Sequence, residues 1–300
     1  MKTRLGSLEL RSPLIAASGT VGSVWEWASV ADVSQYGAAV AKSVSAEPWP
    51  GHPAPRLAPT DVGMLNGIGI QNPGIQIWAR RMTGHMAATD VPIWGSAVGG
   101  SASEFAEVAE GLEGAGVPAI EVNLSCPNLE NGAMFSYDAA LSASVVREVI
   151  SSVTVPVGAK LSPNTPDLIE VAKGCMNAGA EFLTLTNSAL GFGLSVESAR
   201  PSLSVGAGGY SGPGLKPISL RCVFEVARAM PGTPIVGCGG VVSGRDVVEY
   251  LMAGASAVAL GTIHLAEPKA GARILRELQH ELTRLGVGSV KDLIGTVEPW

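Results

Sequence analysis

Eight short apolar segments, each followed by a stretch of helical periodicity, constrain this chain more than any other feature. They are 13–18 (PLIAAS), 38–44 (AAVAKSV), 92–98 (PIWGSAV), 119–124 (AIEVNL), 155–161 (VPVGAKL), 181–187 (EFLTLTN), 234–238 (PIVGC) and 257–261 (AVALG). Most are apolar almost throughout rather than alternating, which marks strands covered on both faces, as in a parallel sheet. The spacing predicts helices over 25–34, 74–88, 102–115, 138–152, 166–178, 217–229, 243–253 and 268–285. Ser101 and Ser243 stand where N-caps belong, and Gly179 and Gly254 where helices should stop. Eight strand–helix units in 300 residues point to a (β/α)8 TIM barrel. An open doubly wound sheet is the alternative. Residues 3–10 (TRLGSLEL) predict a small hairpin around Gly6-Ser7, and the whole chain, 1–300, reads as one domain.

Two interruptions are long, at 45–73 and 189–216. Both follow strands, so both belong to the barrel face where active sites form. Composition narrows the function. Charged residues are only 15%, the net charge is −6, and Lys and Arg do not cluster, which argues against nucleic acid or anionic membrane as partners. No apolar run reaches membrane-spanning length and MKTRLGSLELRSP lacks a signal-peptide core, so a cytoplasmic protein is expected. The four cysteines (Cys126, Cys175, Cys222, Cys238) form no CxxC and the four histidines have no ligand spacing, so no metal or cluster is expected on this chain.

Polar residues recur at the strand ends. Ser18, Lys42-Ser43, Ser96, Asn123, Lys160, Asn187-Ser188, Gly239-Gly240 and Gly261-Thr262 end, carry or follow the eight strands, and together would ring the barrel mouth. Lysine is costly to bury without a compensating negative charge. Lys42 and Lys160 therefore predict an anionic ligand, or else each pairs with a carboxylate. CGGV at 238–241 and LGT at 260–262 let backbone N–H groups approach a phosphate ahead of a helix. Cys126, in NLSCPN at 123–128, lies beyond its strand among polar neighbours. It is either a packing residue or a reactive thiol, whose ordinary pKa near ~8.5 leaves a few per cent ionised at neutral pH. A nucleophilic dyad would want a histidine, and only His264 lies near a strand end, so a base on carbon suits it better. Cys175, Cys222 and Cys238 are expected to be structural.

The ordered set ASG (17–19), KS (42–43), MLNGIGIQNPG (64–74), NLSCPN (123–128), VGAKLSPN (157–164), LTNS (185–188), GGYSGPGLKP (208–217), CGGV (238–241) and LGT (260–262) resembles the class 1 dihydroorotate dehydrogenases over nearly the whole length. Cysteine at 126 matches class 1, where the membrane-associated class 2 enzymes carry serine. MLNGIGIQNPG and LENGAMF resemble subclass 1B. The resemblance implies FMN held by Ser18, Lys42, Ser43, Asn123, Lys160, Thr186, Gly212, Gly239, Gly240, Gly261 and Thr262, with Ser96 beside it. It implies dihydroorotate held by Lys42, Asn66, Gly67, Ile68, Gly69, Ile70, Asn123, Asn128, Asn187 and Ser188, with Cys126 as the base that takes the C5 proton. It also implies a homodimer joined to an electron-transfer subunit carrying FAD and a 2Fe–2S cluster, a heterotetramer that reduces NAD+.

Two positions depart from the family pattern. Position 96 is serine where members often have asparagine, and position 67 is glycine where alanine or serine is common. The competing readings are an FMN oxidoreductase of another dihydropyrimidine, a flavin-free phosphate-binding isomerase or lyase, and a binding subunit without activity. Trp25 and Trp27 are expected to pack the first helix, and Trp94 the layer between barrel and helices.

Overall fold

A computed structural model describes residues 1–125 and 134–298 of the chain. Thr3–Leu5 (β1) and Leu8–Leu10 (β2) form the predicted antiparallel hairpin. Leu14–Ala16 (β3) and Ala38–Val40 (β4) follow, then a paired Leu57–Thr60 (β5) and Gly63–Asn66 (β6). Ile93–Ala97 (β7), Ile120–Asn123 (β8), Val157–Leu161 (β9) and Phe182–Leu185 (β10) come next. Beyond them lie Ala189–Phe192 (β11), the two-residue pair Leu194–Ser195 (β12) and Arg200–Pro201 (β13), and Ala207–Ser211 (β14). Ile235–Cys238 (β15) and Ala257–Leu260 (β16) complete the strands. β3, β4, β7, β8, β9, β10, β15 and β16 close into a barrel in that order, each neighbour parallel, with β16 pairing β3 at the seam. The eight predicted strands are the eight barrel strands.

The helices are Trp25–Ala28 (α1), Ile75–Met86 (α2), Ala102–Gly114 (α3), Ala139–Ser152 (α4), Leu168–Asn177 (α5), Lys216–Ala229 (α6), Gly244–Met252 (α7), Ile263–Ala266 (α8) and Ala270–Leu285 (α9). Their starts follow the local chemistry. Ser101 Oγ accepts from the Glu104 amide, and Ser243 and Asp246 form a reciprocal capping box at α7. α3 buries Phe105, Val108, Ala109 and Leu112, and α9 buries Ile274, Leu278 and Leu282, each one stripe turned to the barrel. The first helix is shorter than the predicted 25–34. Asp32 accepts from the Ser34 amide and opens a separate 3-10 turn over Val33–Gln35, so its side chain competes with helix continuation. α8 was not expected; Pro268 separates it from α9.

The barrel interior is a stack of layers. At the bottom Trp94 and Phe182 lie with ring centroids 5.2 Å apart among Ile15, Ala38, Val40 and Ala257. Gly158 makes room for them, since a Cβ there would come 2.1 Å from the Phe182 ring. Trp94 is therefore inside the barrel, not in the outer layer where the sequence placed it. Leu5 and Leu10 of the hairpin join this cluster from below. Thr3 Oγ1 donates to the Ser256 carbonyl at 2.8 Å, and the Ser7 amide to Glu181 at the start of β10 at 2.9 Å. The hairpin thus shuts the N-terminal end of the barrel. Above the aromatics the interior turns polar, with Ser96, Glu121, Lys160 and Thr184 all buried.

The two long interruptions are not irregular. β5 and β6 from the first, and β11 and β14 from the second, form one four-stranded antiparallel sheet in the order β11-β14-β6-β5. Its strands follow the C-terminal ends of β4 and β10, so it stands over the barrel mouth.

Candidate active site

The mouth is built by side chains at consecutive strand ends. Ser18 follows β3 and its hydroxyl donates to the Ala41 carbonyl at 2.8 Å. Ser43, two residues past Ala41, lies 2.8 Å from Ser96 Oγ on β7 and 3.4 Å from Ser18 Oγ. Asn123, the last residue of β8, points its Nδ2 at Ser43 Oγ, 3.4 Å away, and accepts from Asn187 Nδ2 at 3.1 Å. The Ser188 amide donates to Asn187 Oδ1 at 2.8 Å. Ser18, Ser43, Ser96, Asn123, Asn187 and Ser188 are thus linked by short polar contacts across five strand ends. Lys42 is half-buried between Ala41 and Ser43, its amide donating to the Gly22 carbonyl at 2.8 Å.

Lys160 stands on β9 with its Cα opposite those of Asn123 and Thr184. It is 6% exposed and its ammonium lies 3.9 Å from Glu121 Oε1. Burial works against the charge and the Glu121 carboxylate, with Cys238 near it, works for it; the balance holds Lys160 above the usual lysine value. Of the two sequence explanations for a buried lysine, the carboxylate partner holds at this position. Glu121 had no sequence signal: it alternates inward within AIEVNL, but nothing about one acid in a strand marks it as paired.

The CGGV loop is held close to residues 212–216. A Cβ on Gly240 (φ 70) would come 2.6 Å from the Lys216 nitrogen and 2.9 Å from the Gly212 carbonyl, so the two loops meet backbone to backbone. Lys216 donates to Asp246 at 2.6 Å and Glu249 at 2.8 Å, and Asp246 also accepts from the Val242 and Ser243 amides. That ion triad pins the GGV loop to α6 and α7. Thr186 Oγ1 pairs with Ser219 Oγ at 2.8 Å, under Gly239. Thr262 Oγ1 donates to Ser211 Oγ at 2.8 Å, tying the last barrel strand to β14. At Gly261 an added Cβ would meet only Ala17, at 3.7 Å, so the space above that loop is open.

The overlying sheet brings Asn66 to the same place. Asn66 Nδ2 donates to the Gly209 carbonyl at 3.0 Å, and a Cβ on Gly209 would touch Ser188 Oγ at 2.2 Å. Residues 67–70 continue from β6. Gly67 is buried, and a Cβ there would meet Val205 at 2.8 Å, so the glycine allows close packing against the second excursion. Ile70 has φ 54, an unusual conformation for a β-branched residue. Asn72 stabilises it: its Oδ1 accepts from the Ser45 and Gly74 amides and its Nδ2 donates to the Ile70 carbonyl at 2.8 Å. Asn164 similarly clamps the other side, donating to the Ser188 carbonyl and accepting from the Leu190 amide. Asn72, Asn164, Ser211 and Ser219 sit inside or beside the quoted motifs, yet one sequence gives no means to separate them from their neighbours. Cys126 and Asn128 lie outside the described residues.

His264, the one histidine just past a barrel strand, turns away from the mouth. Its ring nitrogens meet Tyr36 Oη at 2.8 Å and Thr20 Oγ1 at 3.1 Å, and burial pushes its pKa down to about 4. Cys175 and Cys222 are buried on the helices and Cys238 ends β15 facing inward; burial raises all three thiols. A surface cavity of about 310 Å³ lined by Val30, Asp32, Tyr36 and Gly271 lies on the helical flank, apart from this constellation.

A closed parallel barrel with a polar ring at the C-terminal strand ends is the architecture of a TIM-barrel enzyme. A family model described as dihydroorotate dehydrogenase matches residues 1–282. Two curated relatives, from Geobacter sp. (strain M21) and Citrifermentans bemidjiense, are named dihydroorotate dehydrogenase B (NAD(+)), catalytic subunit. They are 39% and 40% identical over 300 residues, covering 99% of this chain and 98% of each relative. A solved structure, DHODH from Eimeria tenella in complex with ferulenol, shares the fold with a TM-score of 0.84 at 20% identity, covering 98% of this chain and 88% of that one. The chain belongs to the dihydroorotate dehydrogenase family, and its near relatives are catalytic subunits of the NAD+-linked B type.

Proposed function

We propose that this chain is the FMN-bearing catalytic subunit of a two-component enzyme that oxidises dihydroorotate to orotate. The observation that carries the reading is the polar chain from Ser18 to Ser188 across the barrel mouth, in a protein whose relatives carry that name. The donor set fits a flavin mononucleotide. Lys160 offers a buried ammonium whose 3.9 Å contact to Glu121 is longer than a hydrogen bond, which leaves its donors for a ligand. Ser18, Lys42, Ser43, Ser96, Asn123, Lys160 and Thr186 would surround the ring and ribityl chain. Gly212, Gly239, Gly240, Gly261 and Thr262 would take the phosphate, with Gly240 at backbone distance from Gly212. When bound, the flavin supplies a hydride acceptor.

Residues 66–70, Asn187 and Ser188, with Asn123, Asn128 and Lys42, would hold the substrate. Asparagine offers a donor and an acceptor together, which matches an imide edge, and Lys42 matches a carboxylate. Cys126 would remove the C5 proton, with Asn123 and Asn128 fixing the ring. Electrons would leave through a partner carrying FAD and a 2Fe–2S cluster to NAD+, in a heterotetramer built on a homodimer of this chain. Among the described residues no group of His, Cys, Asp or Glu could hold a metal, and no helix is long and apolar enough to cross a membrane. A cytoplasmic location fits this reading.

The test is direct. Purified protein should show flavin absorbance and reduce an artificial acceptor with dihydroorotate, and not with dihydrouracil. A colourless preparation that cannot be reconstituted with FMN overturns the reading. Equal turnover of dihydrouracil overturns the substrate assignment.

A further inference from the structure

The interior of the barrel holds a carboxylate, paired with Lys160, that the reaction scheme above does not use. Glu121 is 2% exposed and lies on β8 two residues before Asn123, one turn of the pleat deeper in the barrel. Its Oε2 accepts from Thr184 Oγ1 at 2.7 Å. Its Oε1 is buried with no hydrogen-bond partner among the described residues, and the nearest cation to it is Lys160 Nζ, at 3.9 Å. An ionised carboxylate without full hydrogen bonding is costly in such a place, and fixed structural pairs normally close to direct contact. Here the carboxylate is oriented by Thr184 and stops 3.9 Å short of the ammonium.

We propose that Glu121 is a positioning residue for the cofactor: it supplies the counter-charge that keeps Lys160 protonated where the flavin would bind, so that the pair, rather than the lysine alone, would set the reduction potential. This rests on the FMN reading above. The other groups facing Lys160 do not substitute for Glu121. Asn123 on β8 and Thr184 on β10 are neutral, and Cys238 on β15 is a thiol that burial keeps protonated. Lys42 on the neighbouring rim adds only positive charge. Removing the acid therefore leaves a buried lysine with no opposing charge, and its proton affinity falls.

The consequence is a titration that the native protein lacks. With Glu121→Gln, Lys160 stays charged at low pH and the site gains net positive charge, which favours the anionic reduced flavin. As pH rises the uncompensated lysine loses its proton and that preference disappears. Midpoint potentials of the bound flavin, measured spectroelectrochemically on FMN-loaded protein from pH 6 to 9, should therefore exceed the native values at the acid end. They should drop to or below them at the alkaline end. The expected acid-end shift is at least tenfold in the ratio of affinities for reduced and oxidised FMN, about 30 mV for two electrons. Glu121→Asp keeps the charge and should restore the native pH slope. A Glu121→Gln curve superimposed on the native one sinks the proposal.

If that variant does not fold, Lys160→Met and Lys160→Met/Glu121→Gln decide. The single variant should have the lower potential of the two at alkaline pH, where its unpaired acid is ionised. Equal potentials throughout overturn the idea. Failure of the native protein to bind FMN instead removes the reading on which the proposal stands, so the two failures are distinct.

Discussion

At the scale of single residues, two groups favour higher pH for different reasons, one through turnover and one through stability. Cys126 is the proposed base, and an ordinary thiol is mostly protonated at neutrality, so turnover should rise through pH 8. Cys126→Ala should lower kcat on the order of 10²–10⁴-fold while the protein keeps its yellow colour; near-normal turnover would remove the base from the scheme. His264 acts on stability. Its folded pKa of about 4 lies below the ordinary 6.5, so the unfolded chain binds the extra proton between those values. Stability is full above pH ~6.5 and falls as pH drops towards 4, by at most ~3 kcal/mol from this group. Thermal unfolding across pH 4–7 should show a shallower slope in His264→Gln than in the native chain. Sequence reading reached Lys160, Asn123 and Asn187 because polar types at strand ends stand out against apolar runs. It could not reach Glu121, Ser219 or Asn72. Their roles depend on which residue from a distant element stands opposite, as Thr184 does for Glu121 across 63 positions.

At the scale of elements, the barrel strands were legible because each is a compact run buried on both faces. The four-stranded sheet over the mouth was not. β6 (GMLN) and β14 (AGGYS) are rich in glycine and poor in β-branched residues, and they pair only because the barrel delivers two remote loops to one place. Trp94 was placed on the wrong side because alternate residues of a short apolar strand look alike until the barrel's inside is known. The loop after β15 carries the clearest element-level prediction. Lys216 joins α6 to α7 through Asp246 and Glu249, and Asp246 is nearly buried. Lys216→Met should cost about 1–3 kcal/mol in chemical denaturation and weaken FMN retention, because the GGV loop loses its clamp. Unchanged FMN dissociation would show that the clamp does not shape the phosphate loop.

At the scale of the molecule, the division of labour between chains is the main expectation. The cysteines described, Cys175, Cys222 and Cys238, are each free and far apart in sequence, and Cys126 is the only other one in the chain. An iron and flavin census of the protein purified alone should give FMN without iron, and no NAD+ reduction. Adding an electron-transfer partner should bring iron, FAD and NAD+ activity together. Iron on the isolated chain would contradict that arrangement. The closed seam has its own consequence during synthesis. β3 pairs with β16, so the strand at Leu14–Ala16 meets its second neighbour only after Leu260 has been made. At roughly 5–20 residues per second the delay is on the order of tens of seconds. Through that interval the nascent polypeptide carries a bare hydrophobic edge outside the ribosome, and chaperone occupancy there becomes a determinant of how much enzyme a cell obtains.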